Sequence, residues 1–94
     1  MSGSKTYTLL FPVEIKGKDD QVLDVVRQLE LKRLTGGAAR RVLNAHAKGP
    51  GEFSFELLCA SAGIPPSTFE RLDAEDILAA TEMAAPFLGS VQKI

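Results

Sequence analysis

The apolar residues of this 94-residue chain change their period once, about a third of the way along. Up to Leu31 they recur at every second residue, and from Ala39 onward they recur three and four apart. Successive side chains point to opposite faces of a strand but advance about 100° around a helix, so the change marks strands first and helices after. Segregated elements of this kind make an α+β fold. The expected architecture is an N-terminal β-hairpin packed against three to four short α-helices. It forms one domain over residues 1–94, with the hairpin at 6–33, the helical part at 35–89 and a flexible tail at 90–94.

Tyr7, Leu9, Phe11, Val13 and Ile15 are predicted to line the buried face of the first strand. Pro12 has no N–H to give to a ladder, so it requires an edge or a free flank. Lys16-Gly17-Lys18-Asp19-Asp20-Gln21 is the turn, with Gly17 available for a positive φ. In the second strand Leu23, Val25, Leu29 and Leu31 share one parity, broken by Arg27, while Val22 and Val26 take the other. A bulge is therefore expected near Arg27. Two strands alone are marginal in water, and their apolar face needs a helical layer.

Thr35 can cap a first helix from about Gly36 to Lys48, with Ala39, Val42, Leu43 and His46 as its inner stripe. Gly49-Pro50-Gly51 stops it. The second helix, about Glu52 to Ala62, is apolar almost all round and should be the central one. Gly63 suits its C-terminal cap. Pro66 could open a single-turn helix, or Ser67 and Glu70 could form a capping box, and the two signals differ by about two residues. Asp73, with Asp76 three residues on, caps a last helix from Ala74 towards Leu88. Its stripe is Ile77, Ala80, Thr81, Ala84 and Leu88, and Pro86 should kink or end it.

The chemistry-bearing residues are few. One cysteine and one histidine allow no internal disulfide and no metal cluster, and no cofactor site is expected. His46 continues an apolar stripe, and Cys59 lies inside the most apolar helix, where a thiol behaves as a small hydrophobe. Asp73, Glu75 and Asp76 belong to a first helical turn, where capping and the helix dipole account for them. Gly36-Gly37 is not followed by the lysine spacing of a phosphate-binding loop. No apolar run reaches the roughly 20 residues that span a bilayer, and no apolar segment follows the first residues as in a signal peptide. The expectation is a reduced, intracellular, soluble domain that is not an enzyme and has no membrane partner.

"CASAGIPPSTFERL", residues 59–72, has the outline of a helix-turn-helix. A recognition helix needs a basic field, because phosphate contacts dominate affinity. Residues 52–82 instead carry Arg71 against seven carboxylates, a charge of −6. Residues 1–51 carry nine Lys/Arg against five Asp/Glu, a charge of +4. A small DNA-binding regulator, or another interaction domain, is thus the alternative reading, and no nucleic-acid partner is expected. The opposed charges suit a bipolar molecule whose basic half, around Arg33, Arg40, Arg41 and Lys48, meets the acidic half of another copy, head to tail. The last helix also offers Ala79, Ala80, Ala84 and Ala85 with Met83, small and adaptable side chains against which a partner helix could lie.

The strand "YTLLFPVEI", the strand end "LELKRLT" and the segment "LLCASAGIPPSTFERLDAEDILAATEMAAPFLG" together resemble the tail assembly chaperones of Mu-like bacteriophages. Gly63, Pro65, Pro66, Leu72, Asp73, Asp76, Phe87 and Leu88 stand at that family's recurring places, and the likeness covers roughly residues 6–89. Leu34 departs from it, where a proline would be usual. The resemblance implies a non-catalytic protein that coats the long helical tape measure protein, aids assembly of tail tube protein around it in the host cytoplasm, and is absent from the mature virion. In many members it also implies a longer product made by translational frameshift, while salt-sensitive self-association is expected from the opposed charges.

Overall fold

The computed structural model describes residues 4–89. Strands β1 (Lys5–Lys16) and β2 (Val22–Leu31) pair antiparallel. They are followed by helices α1 (Gly36–His46), α2 (Pro50–Ala62), α3 (Pro66–Arg71), α4 (Ala74–Ala84) and the four-residue α5 (Pro86–Gly89). The fold is the expected α+β hairpin-and-helices arrangement. Residues 90–94, read as a tail, lie outside the described residues.

The hairpin turn closes with Gly17 N–H donating to Gln21 O at 2.8 Å and Asp20 N–H donating to Gly17 O at 3.2 Å. The left-handed residue is Asp20, at φ 61°, although Gly17 was available for that conformation. A short polar side chain tolerates that conformation better than most. Gly17 has a different use, since a Cβ there would come within 3.2 Å of the Leu23 side chain.

The strand register breaks in mid-hairpin and shifts again beside the turn, between Ile15 and Lys16. Thr8 faces Gln28 and Val13 faces Val26, five steps along β1 against two along β2. The irregularity expected near Arg27 is there, but its extra residues belong to β1, where residues 9–12 stand across from Arg27 alone. An odd excess reverses the parity of one strand relative to the other. Leu29 and Leu31 are therefore buried on one side of the break while Val26 packs against the core on the other. Phe11, predicted to face inward, falls within the irregular stretch and is 50 % exposed. Pro12 sits there too, where a missing N–H breaks no ladder bond. Leu23, nearer the turn, is exposed rather than buried.

Thr35 caps α1 by accepting from Ala38 N–H at 3.3 Å. The helix packs chiefly on α2, so its inner stripe is narrow and consists of Val42 and Ala45 with Ala39 beside them. Leu43 and His46, predicted inside, are exposed. Gly49, at φ 129°, redirects the chain, and α2 starts at Pro50, two residues before the predicted Glu52. Proline is pre-shaped for a first helical position and loses no bond there.

α2 is the central helix, touching α1, α3, α4 and β2, with Leu57 and Leu58 wholly buried. Its polar Ser61 is buried as well. The Ser61 hydroxyl donates to Lys32 O at 2.7 Å and accepts from Lys32 N–H at 2.9 Å, tying the end of β2 to the end of α2. Gly63 caps α2 at φ 68°. Pro66 opens α3 with no side-chain cap, which resolves the two N-terminal signals in favour of the proline. Asp73 caps α4 by accepting from Glu75 N–H at 3.0 Å, and α4 stops at Ala84 before Pro86, as expected. The core joins Leu9, Val13, Leu29 and Leu31 of the hairpin to Val42, Leu57, Leu58, Leu72, Ala80 and Ala84.

Candidate functional site

Asp76 lies in the first turn of α4 and is fully buried. Its carboxylate was expected to serve the helix terminus, but it reaches across to β1. It accepts from Tyr7 Oη–H at 2.7 Å, Leu10 N–H at 2.9 Å and Phe11 N–H at 3.0 Å. The two backbone donors come from the stretch that the register break takes out of the ladder, and buried N–H groups without a partner are costly. The break and the carboxylate therefore form one feature. Burial works to raise the Asp76 pKa, but the bonds from Leu10, Tyr7 and Phe11 outweigh it and hold the carboxyl below its ordinary range. The same bond, aided by burial and the negative charges of Asp76 and Glu75, pushes Tyr7 up to about 12. A carboxylate so fully engaged is a structural acceptor with little basicity to offer.

The basic residues singled out from the sequence are all exposed: Arg33 before α1, Arg40 and Arg41 on it, and Lys48 just beyond it. No acidic residue interrupts the chain between Arg33 and Gly51. Met83 does not join them. It is half-buried against the core, and its carbonyl accepts from Lys5 Nζ at 3.3 Å. Lys5 also lies 5.3 Å from the centre of the Phe87 ring. Ala80 and Ala84 have no exposed surface, so the small-residue face of α4 is turned into the protein's own core. His46 meets Phe53 edge-on at 5.3 Å between ring centres. Cys59 is half-buried, and burial, with Glu56 nearby, pushes its thiol pKa up. Among the described residues no three His, Cys, Asp or Glu side chains stand close enough to hold a metal ion.

The outward side of α4 carries a feature that periodicity did not reveal. Pro50, Ser54, Phe69, Ala74, Ile77 and Leu78 line a groove of about 360 Å³ where α2, α3 and α4 begin to diverge. Its walls are apolar apart from the Ser54 hydroxyl, and Leu78 at its edge is 67 % exposed. Glu52, Glu70 and Glu75, all exposed, adjoin its lining residues in sequence. The sequence hint was Leu78 standing outside the inner stripe of α4. Closure of the groove depends on Phe69, which packs edge-on to Phe55 at 5.0 Å.

The helix-turn-helix outline is resolved by the same geometry. α3 has six residues, its Thr68 is buried and its Phe69 faces α2, so the element packs inward. What remains is a small α+β fold with a basic α1, a groove lined by α2, α3 and α4, and a carboxylate lock between sheet and helix. The chain belongs to the family of phage tail assembly chaperone proteins (E, or 41 or 14), whose model matches residues 6–89 of the 94. The match spans the hairpin and all five helices. No curated protein and no solved structure matches the chain. Among the described residues no helix is long and apolar enough to cross a membrane.

Proposed function

We propose that this chain is a non-catalytic chaperone that binds the tape measure protein during tail assembly, keeps it soluble and extended, and assists assembly of tail tube protein around it. It works in the host cytoplasm in several copies and leaves before the virion is complete. Arg33, Arg40, Arg41 and Lys48 face the acidic part of the next copy, while Met83, being half-buried, contributes little to any contact. The observation that carries this reading is family membership over nearly the whole chain. The +4 and −6 halves of the sequence support the self-association.

The test is co-expression with the tape measure protein of the same genome, followed by size-exclusion chromatography with light scattering. A tape measure that is soluble only with this chain, in a complex of several copies, is the expected result. An equally soluble tape measure alone, with no co-eluting complex, removes the proposal.

A further inference from the structure

We propose that Leu43 of one copy inserts into the groove between α2, α3 and α4 of the next, which names the contact behind the self-association on which this inference rests. Leu43 is 54 % exposed, in mid-helix, on a face that also carries exposed Arg40, Asn44 and Ala47. An exposed leucine amid positive charge has its complement in the same molecule. The groove is apolar, its neighbours include Glu52, Glu70 and Glu75, and Arg71 is the single cation among residues 49–89. Lys48 stands between the end of α1 and Pro50, two residues from the groove's lining. Complementary charge orients the approach and excludes like-charged alternatives, while insertion of the leucine buries apolar area from both copies. Leu43 and the groove are different surfaces, so the contact is heterologous. Each added copy presents a free groove or a free Leu43, and the assembly grows.

Two sets of substitutions separate the halves of the contact. Leu43→Glu would put a carboxylate into the apolar groove. Ala74→Gln with Leu78→Gln fills and polarises the groove. All three positions are exposed, so the fold should be retained, and circular dichroism with thermal unfolding checks that it is. By light scattering, the wild-type chain should gain mass with concentration and lose it as salt rises. Each variant alone should stay monomeric. An equimolar mixture should give a one-to-one dimer that does not grow, because it contains one intact Leu43 and one intact groove per pair. A monomeric wild type, variants that associate like the wild type, or a mixture without a dimer each overturn the contact. Co-expression with the tape measure protein keeps the two proposals apart. A partner solubilised by a monomeric wild-type chain sinks this contact and leaves the chaperone reading standing, whereas an intact contact with no effect on the tape measure does the reverse.

Discussion

The Tyr7 hydroxyl donates to the Asp76 carboxylate at 2.7 Å across 69 residues of sequence, joining the first strand to the fourth helix. Leu10 and Phe11 donate their backbone N–H groups to the same carboxylate. The hairpin therefore depends on α4 for hydrogen bonds that its own ladder leaves unmade, and α4 is held against the sheet by something more directional than apolar contact.

Removing the acceptor should be expensive. Asp76→Ala leaves three donors without a partner and should cost about 3–5 kcal/mol of stability, and Asp76→Asn about 2–4 kcal/mol, since one amide oxygen cannot serve all three. Tyr7→Phe should cost about 1–2 kcal/mol and be far from additive with Asp76→Asn. Glu75→Ala, one residue away and exposed, should change stability by less than about 0.5 kcal/mol. Urea unfolding of the four variants measures the order.

The same pair predicts the pH range of stability. Asp76 has a lowered pKa in the fold, so its contribution is complete above the unfolded carboxyl value of about 4 and is lost as pH falls through the folded value. Tyr7 has a raised pKa, so its contribution is complete below about 10 and is lost as pH rises towards its folded value. The contribution of this pair should be flat between these limits and fall on both sides. Tyr7 is the one tyrosine in the chain, so tyrosinate absorbance reads its titration directly, with a midpoint displaced towards about 12.

The central helix makes contrasting demands on adjacent residues. Leu58 has no exposed surface, and Leu58→Ala should cost about 2–5 kcal/mol. Cys59 is half-buried with a raised pKa, so it should react with a bulky thiol reagent more slowly than a free cysteine, and Cys59→Ala should cost little. Native labelling as fast as in denaturant would mean that α2 is not the packed centre.

Ser61 tests the tie between β2 and α2. Ser61→Ala removes both hydroxyl bonds to Lys32 but leaves the backbone bond from Lys32 N–H to Ser61 O at 3.0 Å. The cost should be about 1–2 kcal/mol, with hydrogen exchange accelerated first at the end of β2.

Duplex DNA should bind no more tightly than the weak non-specific range of about 10⁻⁴–10⁻⁶ M, because α3 is short and packed and residues 52–82 carry a charge of −6. A sequence-dependent shift at nanomolar protein would overturn the chaperone reading in favour of the helix-turn-helix alternative.

Local signals accounted for much of the architecture. Thr35, Gly63, Asp73 and Pro86 act within a turn of their own position, so caps and stops could be read from neighbouring residues, and the single change of period separated hairpin from helices. The basic set on α1 was legible too, because an uninterrupted charge run needs no partner to be seen. Long-range relations were not legible. Phe11 faces outward because residues 9–12 are drawn out of the ladder towards Asp76, and no window around Phe11 contains Asp76. Leu43 is exposed because α1 has essentially one neighbour, so its buried stripe is narrower than its apolar one. The groove exists because the start of α2 is brought beside Phe69 and the start of α4, about twenty residues further along the chain. Ala80 and Ala84 resemble a surface for a partner helix until α4 is packed between α2 and the hairpin, where their side chains lie wholly inside the protein's own core. Periodicity states that a face is apolar, but burial is a property of what the rest of the chain brings to that face.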